Sequence, residues 1–307
     1  MLARVLKKVF SSTAHSTDAA IEAATDSTND AGSDESAAVV AQRSPSGAYL
    51  PPRSIPDPNN VTNFHYPVYW GVREPERFAD SVKDLTQSMS SAFHAGDNFV
   101  TWGRNNSMLA DQPFVEAWNS NIESESDRAI VWRRYVLATS AFHCAQLDGD
   151  FVECGSYTGV GVKTIVDYLG GVDFAKTFWA YDVFEHDAEK MVNHPMPELS
   201  AHLYDRVKAK FAAYPQVKLI KGMVPDSFEG NCPEKIAYLH IDMNQAPAEI
   251  AALDALFDRV VPGGMVILDD YEWAAYRAQK LAEDAWFDAR GYRVMPLPTG
   301  QGLVIKR

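Results

Sequence analysis

The sequence FVECGSYTGVG, residues 151–161, decides the fold of this 307-residue chain. Its first four residues predict a short buried strand, and a helical pattern to about Tyr168 follows the glycines. Glycines at such a turn let a ligand approach the backbone, and the first turn of the helix offers free N–H groups. A tight turn that binds nothing uses the same residues, so the loop alone leaves both interpretations open.

Beyond this turn, short apolar strands alternate with helices to the end of the sequence. The predicted strands are TFWAYD (177–182), VKLIKG (217–222), KIAYLHID (235–242) and GMVILDD (264–270), followed by a hairpin of YRVMPL (292–297) and GLVIKR (302–307). One predicted helix runs from about Glu198 to Ala213. A second follows the strand KIAYLHID and continues through Leu256, and a third follows GMVILDD and continues to Ala289. Repeated βα units indicate the α/β class: a Rossmann-like, doubly wound, mostly parallel seven-stranded sheet with an antiparallel edge hairpin.

Residues 1–60 differ in composition from the rest of the chain. Ala, Ser and Thr dominate residues 11–47, which cannot bury enough apolar surface to fold and are therefore predicted to be disordered. The Pro-rich residues 44–60 are predicted to be a linker. The first ten residues, MLARVLKKVF, fit a frayed terminus or a short membrane-surface helix, and we favour the terminus because ten residues are marginal for a helix.

Residues 61–149 carry helical signals. Pro75 suits the first turn of a helix, and Gly96 is expected to end that helix. Ser124-x-x-Asp127 resembles a capping box ahead of an apolar-rich segment. The predicted organisation is a tail and linker over residues 1–60, a helical segment over residues 61–149 and the α/β domain over residues 150–307.

Composition excludes several classes of protein. A net charge of −13 argues against nucleic acid binding through bulk charge. No apolar run approaches the ~18 residues that a transmembrane segment needs. Cys144, Cys154 and Cys232 form no Cys-x-x-Cys pair, which favours a reduced, cytoplasmic compartment over a disulfide framework or a structural zinc site.

Acidic residues end two of the predicted strands in positions that suit a nucleotide-containing ligand. Glu153 lies in a buried strand, where a carboxylate costs solvation unless a partner such as a ligand ammonium group is present. Asp182 follows Gly161 by 21 residues, a spacing typical of a carboxylate that binds the ribose hydroxyls of an adenosine. The spacing suits both a nicotinamide dinucleotide and S-adenosylmethionine.

Three further acids, Asp242, Asp269 and Asp270, end the fourth and fifth strands. If these strands are neighbours, the three carboxylates converge, and a divalent cation would relieve their repulsion. Carboxylate oxygens are the ligands that Mg²⁺ prefers. Capping of the following helices is the alternative interpretation, and we favour the metal because three acids converge.

A resemblance to a known family rests on five ordered motifs: GDFVECGSYTGVGVKTI, WAYDVFE, LHIDMN, PGGMVILDDYEW and LPTGQGLVIK. Together they resemble the class I S-adenosylmethionine-dependent methyltransferases and, within them, the macrocin O-methyltransferase (TylF-type) family, from about Asp97 to Lys306. The resemblance implies an O-methyltransferase whose cofactor is held by Glu153, Gly155, Ser156, Tyr157, Asp182, Gly222 and Met223. It also implies Mg²⁺ at Asp242, Asp269 and Asp270, and a lid with part of the acceptor pocket before residue 150.

The implied acceptor is a hydroxyl group of a small molecule, a sugar or similar polyol. The resemblance implies no nucleic acid partner and no transmembrane segment, and a homo-oligomer stays open. Methyl transfer is an in-line displacement at a sulfonium carbon, and a metal would lower the pKa of the hydroxyl and fix its position.

The sequence departs from the family pattern near the strand ends. Many members carry an acid where Asn244 stands, and several carry Gly or Gly-His where this chain has Glu272 and Trp273. These departures leave the general base unassigned. Three histidines lie near the connection after the second strand, where packed or solvated histidines are the more common case: His186, His194 and His202.

Two other function classes compete with this interpretation. A short-chain NAD(P)-dependent dehydrogenase would share the glycine spacing and use Tyr276 and Lys280 as its catalytic pair. However, only 27 residues follow Lys280, and neither Glu153 nor the Asp-Asp pair has a role in hydride transfer. A non-catalytic cofactor-fold binding protein fits the unassigned base but would not need the full set of acids.

Overall fold

The computed structural model describes residues 42–43, 49–52, 63–89, 92–185, 199 and 202–307. The first ten residues and most of the predicted tail lie outside the described residues, as do His186 and His194. Within the described ranges, no helix is long and apolar enough to cross a membrane.

The strands, in chain order, are β1 (Gln42–Arg43), β2 (Tyr49–Leu50), β3 (Phe64–His65), β4 (His94–Gly96), β5 (Phe99–Thr101), β6 (Asp150–Cys154), β7 (Phe178–Asp182), β8 (Val217–Lys221), β9 (Ile236–Ile241), β10 (Val260–Leu268), β11 (Met295–Pro296) and β12 (Gly302–Ile305). The α-helices are α1 (Pro75–Gln87), α2 (Ser107–Ala110), α3 (Gln112–Asn121), α4 (Glu125–Ala129), α5 (Val131–Cys144), α6 (Val160–Tyr168), α7 (Leu203–Lys210), α8 (Ala246–Leu256) and α9 (Arg277–Asp288).

The main sheet has seven strands in the order β11-β12-β10-β9-β6-β7-β8. β10, β9, β6, β7 and β8 are parallel, whereas β12 is antiparallel to both β10 and β11. The chain builds outward from β6 to β8 and then crosses to β9 on the other side of β6. This confirms the predicted α/β fold and places the switch point, where ligands bind in such sheets, between β6 and β9.

Alternation along the strands divides the core between the two faces of the sheet. Phe151, Tyr238 and Ile267 belong to the buried cluster that includes residues of α5 and α6. Val152 and Leu239 belong to the opposite cluster with residues of α8 and α9. Since side chains two residues apart share a face, the polar residues that follow Phe151, Tyr238 and Ile267 by two positions lie on the α5 side.

The segment before the sheet differs from its helical prediction. α1 begins at Pro75 as expected but ends at Gln87, and Gly96 lies in β4, so the predicted role of Gly96 as a helix end is wrong. β3, β4 and β5 form a separate three-stranded sheet. The β4–β5 hairpin turns at Asp97 and Asn98, whose φ angles of 51° and 54° suit the tight turn of a hairpin.

The predicted capping box is present in part. The Ser124 side chain accepts the N–H of Asp127 at 3.1 Å and begins α4. The Asp127 carboxylate accepts the N–H of Glu123 rather than that of Ser124. α4 ends at Ala129, and α5 starts two residues later, so the helical segment is divided at Ile130.

Part of the predicted tail and linker is structured. β1 and β2 form an antiparallel pair in which Gln42 lies opposite Leu50. Most of residues 11–47 lie outside the described residues, so their predicted disorder stays a prediction. A Cβ at Gly170 would lie 3.3 Å from the Tyr49 ring, which shows that Tyr49 rests on the chain just after α6. One aromatic residue in a polar segment therefore provides an apolar contact that composition alone does not reveal.

Candidate functional site

The seven predicted cofactor residues lie at the ends of three adjacent strands. Four of them belong to β6 and its turn, Asp182 ends β7, and Gly222 and Met223 follow β8. Asp182 connects the three loops. Its carboxylate accepts the N–H of Tyr157 at 2.7 Å and that of Phe184 at 2.6 Å, and its backbone carbonyl accepts the N–H of Gly222 at 3.0 Å.

Burial has a clear electrostatic effect on Asp182. Desolvation raises the pKa of its carboxyl to about 6, and the backbone N–H of Phe184 only partly offsets this effect. An additional hydrogen-bond donor at this carboxylate would therefore stabilise its ionised form. Ribose hydroxyls are donors of that kind.

The glycines of the β6 turn make room for neighbouring protein atoms. A Cβ at Gly155, where φ is 97°, would overlap the carbonyl oxygen of Asp242. A Cβ at Gly161 would lie 2.5 Å from Nη1 of Arg134. The sequence left open whether these glycines serve a ligand or only a tight turn. Close packing against the backbone after β9 requires Gly155, whereas the atom that faces Gly161 is the end of the flexible Arg134 side chain.

Ser156 provides a polar atom that is free to bind a ligand. The residue is 4% exposed, and its Oγ has no hydrogen-bond partner within the described residues. A buried hydroxyl without a partner is costly in a folded protein. This hydroxyl lies in the turn next to Gly155, among the residues that the resemblance implies for the cofactor.

Glu153 already has a partner in the structure. Its carboxylate lies 2.8 Å from Nδ1 of His240, and both side chains are almost fully buried. Burial alone would lower the pKa of His240, but the nearby carboxylates of Asp269 and Glu153 raise that pKa to about 10. The buried carboxylate is thus compensated by an imidazolium, a partner that the sequence analysis did not identify.

Two of the three predicted metal ligands lie close together, and the third is turned toward an arginine. Ligand atoms of His240, Asp242 and Asp269 lie within 4.8 Å of one another. Asp270 instead points to Arg133, whose Nη2 lies 2.9 Å from Asp270 Oδ1. The same guanidinium nitrogen contacts Oδ2 of Asp269. Two carboxylates are therefore neutralised by an arginine in the place where the sequence analysis invoked only a cation from solution.

The pKa values of the three aspartates differ because their neighbours differ. Burial raises the pKa of Asp242 well above its usual value, and the charges of Asp269 and Asp270 raise it further. Burial would also raise the pKa of Asp269, but Arg133 and His240 hold it well below its usual value. Burial raises the pKa of Asp270 to about 6 despite the Arg133 charge. Asp242 is thus the carboxylate with the greatest need for a further cation.

Sequence reasoning missed Arg133, His240 and two residues that extend this network. Gln301 donates from Nε2 to Asp269 Oδ1 at 2.8 Å, and Asp97 lies 3.9 Å from Arg133. Burial raises the pKa of Asp97 to about 6, which Arg133 counteracts. Of the four, only His240 carries a signal in the sequence: the pattern His-x-Asp on a strand places both side chains on one face.

The other residues that the sequence analysis weighed have separate surroundings. Asn244 has a φ of 58°, and its N–H donates to buried Glu249 at 3.1 Å. His202 is exposed just before α7. Lys280 pairs with Glu272 at 2.8 Å and lies over the Tyr271 ring, not against Tyr276 as the dehydrogenase alternative requires.

The ring of Trp273 lies 5.7 Å from the Arg133 guanidinium carbon. Where several family members carry Gly or Gly-His, this chain therefore has an indole beside the arginine of the site. A ring face near a guanidinium adds a cation–π contact to the ion pairs of Arg133.

Comparisons with solved structures show partial similarity. The O-methyltransferase NovP is 19% identical, with a TM-score of 0.47 over 57% of this chain and 80% of that chain. The calicheamicin methyltransferase CalS11 is 12% identical, with a TM-score of 0.46 over 64% of this chain and 92% of that chain.

One relative and one family model also match parts of this sequence. An 8-demethyl-8-(2,3-dimethoxy-alpha-L-rhamnosyl)-tetracenomycin-C 4'-O-methyltransferase of Streptomyces olivaceus is 29% identical over 160 residues, which cover 47% of this chain and 58% of that relative. The matched part of this chain thus spans little more than half of the relative's length. A family model described as Macrocin-O-methyltransferase (TylF) matches residues 136–291. Because that match covers half of the sequence and includes the strand-end residues from Glu153 to Asp270, the chain belongs to the macrocin O-methyltransferase (TylF) family.

Proposed function

We propose that this chain is an S-adenosylmethionine-dependent, Mg²⁺-dependent O-methyltransferase that acts on a hydroxyl group of a small molecule, a sugar or similar polyol. The observation that carries the proposal is that two groups of predicted site residues occupy neighbouring parts of one edge of the sheet. Predicted cofactor residues end β6, β7 and β8, and predicted metal ligands end the neighbouring β9 and β10. We also propose a cytoplasmic location, because none of the three cysteines is in a disulfide.

The cofactor side has groups that match S-adenosylmethionine. The unpartnered Ser156 hydroxyl would bind the methionine carboxylate, and Asp182 would accept hydrogen bonds from the ribose hydroxyls. Glu153 supplies negative charge near the sulfonium and ammonium groups, although it shares that charge with His240. Met223, which is 38% exposed after β8, offers an apolar contact for the adenine.

The metal side fits a divalent cation at two of its three aspartates. Burial and the charges of Asp269 and Asp270 raise the pKa of Asp242, which indicates that its charge is poorly compensated, and ligand atoms of His240, Asp242 and Asp269 lie within 4.8 Å of one another. Asp242 and Asp269 would therefore hold Mg²⁺, with Asp270 as a third ligand shared with Arg133. When bound there, Mg²⁺ would supply Lewis acidity that lowers the pKa of the acceptor hydroxyl.

The chain's own residues mainly position the two reactants. In the transfer, the bond from the sulfonium sulfur to the methyl carbon breaks and its electron pair stays on sulfur, the bond from the acceptor oxygen to that carbon forms, and the hydroxyl proton passes to solvent. His240 is not suited to take this proton, because both of its ring nitrogens face carboxylates. Arg133 keeps Asp269 and Asp270 ionised and fixed. Fixed geometry of this kind accounts for large rate enhancements.

The class of acceptor follows from the charge of the site and from the relative. The metal side has four carboxylates, those of Asp97, Asp242, Asp269 and Asp270, against Arg133 and the proposed divalent cation, so it has no excess positive charge with which to bind a phosphate or carboxylate of the acceptor. The Streptomyces olivaceus relative is named for methylation of a rhamnosyl 4' oxygen. These two observations support a neutral sugar hydroxyl.

Titration calorimetry tests the proposal directly. We expect the chain to bind S-adenosylmethionine and not NADH, and Asp182→Asn to weaken that binding. Glu185→Gln is a matched control, because it removes an exposed acid three residues away that pairs with Lys221. Transfer of a labelled methyl group to rhamnosides, with Mg²⁺ or chelator, tests the acceptor class and the metal. Binding of NADH without S-adenosylmethionine, or equal transfer in chelator, would contradict the corresponding part.

A further inference from the structure

We propose that His240 is a positioning residue that joins the cofactor side of the site to its metal side. The inference rests on the proposed function and extends it to a residue that neither side includes. His240 Nδ1 lies 2.8 Å from Glu153 Oε2, and His240 Nε2 lies 3.4 Å from Asp269 Oδ1. One imidazole therefore lies between the carboxylate next to the β6 turn and a carboxylate of the predicted metal site.

The pairing of the strands explains why the residue at this position reaches both carboxylates. In the parallel pairing of β6 with β9, Glu153 lies opposite His240. In the pairing of β9 with β10, Ile267 lies opposite His240, and Asp269 follows Ile267 by two residues on the same face. β9 is the strand between the other two, so its side chain can contact an acid on each neighbour.

The side chains on both sides of the two contacts are buried, so the loss of a contact changes the surroundings of a buried carboxylate. Glu153, His240 and Asp269 are 2%, 1% and 6% exposed, so water does not replace a lost partner. A buried carboxylate without its donor moves toward another donor or takes up a proton. Loss of the imidazole would thus displace Glu153 on the cofactor side. On the metal side, Asp269 would keep its hydrogen bonds from Gln301 and Arg133 but would lose the ring nitrogen that lies 3.4 Å from its Oδ1.

Arg134 and Arg133 do not provide the same connection. Arg133 contacts Asp269 and Asp270, which both belong to the metal side. Arg134 lies beside Gly161 at the start of α6, on the cofactor side. Its charge also lowers the pKa of Asp269, but among the described residues no hydrogen bond or ion pair joins the two side chains. His240 differs from both because its two ring nitrogens face acids of different sides.

Two substitutions separate the two contacts. In His240→Asn, the amide nitrogen stands as many bonds from Cα as Nδ1 does, so the hydrogen bond to Glu153 is kept and the contact with Asp269 is lost. In His240→Gln, the amide nitrogen corresponds to Nε2, so the contact with Asp269 is kept and that with Glu153 is lost. His143→Asn, on the exposed face of α5, is the matched control.

The measurements are calorimetric affinities of the full chain for S-adenosylmethionine in chelator, and for Mn²⁺ as a spectroscopic substitute for Mg²⁺. We expect His240→Gln to weaken S-adenosylmethionine by about tenfold or more and to leave Mn²⁺ nearly unchanged. We expect His240→Asn to show the opposite pattern. Equal effects of both variants on both ligands, or no effect of either, would overturn the inference.

The outcome for the unsubstituted chain separates this inference from the proposed function. If that chain binds S-adenosylmethionine and the two variants do not differ, the inference alone fails. If it binds no S-adenosylmethionine, the proposed function fails first. Should a variant not fold, ¹⁵N-histidine NMR of the unsubstituted chain replaces it. We then expect S-adenosylmethionine to shift the Nδ1 resonance of His240 more than Nε2, and Mg²⁺ to do the reverse; shifts of neither nitrogen would overturn the inference.

Discussion

Replacement of Arg133 by Met removes the cation that neutralises two buried aspartates. Its Nη2 contacts Asp269 and lies 2.9 Å from Asp270, and its Nη1 lies 3.9 Å from Asp97. Met keeps an unbranched apolar side chain of similar reach, so the change is mainly one of charge. Breaking a buried ion pair by removing one partner costs about 3–5 kcal/mol. For a domain of this size, that loss corresponds to a Tm decrease of roughly 10 °C.

The assay is thermal unfolding of both proteins in chelator, followed by circular dichroism. Arg77→Met is the matched control, because Arg77 pairs with Glu74 at 3.1 Å on the surface, where both side chains are largely exposed. Such a pair contributes at most about 1 kcal/mol, so we expect a Tm within a few degrees of the unsubstituted chain. An Arg133→Met variant that melts as the control does would refute the role of this guanidinium.

Addition of Mg²⁺ extends the same experiment to the proposed metal. A ligand at a hundred times its Kd stabilises the folded state by about 2.7 kcal/mol. We expect Mg²⁺ to raise the Tm of Arg133→Met more than that of the unsubstituted chain, because no guanidinium competes for Asp269 and Asp270. An identical Mg²⁺ effect on both proteins would mean that the cation does not bind these aspartates.

Three further predictions concern single positions. Asp270→Asn should lower turnover by orders of magnitude but leave S-adenosylmethionine affinity nearly unchanged, and a matching loss of affinity would instead place Asp270 on the cofactor side. Gly155→Ala should prevent stable folding, since the new Cβ overlaps the carbonyl oxygen of Asp242, whereas Gly230→Ala meets no atom within 4 Å; similar Tm values for the two would contradict this. Burial raises the pKa of Glu283 from 4.5 to about 7, so its folded form stays protonated while the unfolded form ionises, and stability falls as the pH rises between these values. Urea unfolding should therefore show that Glu283→Gln gains stability relative to the unsubstituted chain as the pH rises from 4.5 toward 7, and a pH-independent difference would disprove it.

The main sheet could be predicted because its strands are long apolar runs separated by clear turn and helix signals. FVEC and KIAYLHID illustrate this: both correspond to strands within one or two residues of the predicted bounds. The three-stranded sheet before residue 149 was not predicted, because its strands have only two or three residues each. Its one local signal is the Asp97-Asn98 turn, which lies among residues without an alternating pattern.

The candidate site was predictable where one strand end suffices to place a residue. Asp182, Asp242 and Asp269 end strands, and a parallel sheet brings such ends to one edge whatever the details of packing. Arg133 reaches the same edge from a helix, and its direction depends on how α5 is rotated against the sheet. A single sequence does not determine that rotation, so the cation that holds two of the acids could not be assigned.

The adjacent positions of Arg133 and Arg134 on α5 restrict how the length of this part of the chain can vary. Successive residues of a helix are rotated by about 100°, so two neighbours can point to two different loops only in one register. Inserting or deleting one residue between Arg134 and the buried Leu137 would turn both guanidinium groups away from their partners. The helical segment is interrupted at Ile130, before α5 begins, so a change of length there does not rotate Arg133 and Arg134 relative to the rest of α5. Insertions should therefore be tolerated at the α4–α5 junction and not between Arg134 and Leu137, a pattern that a library of single-residue insertions would reveal.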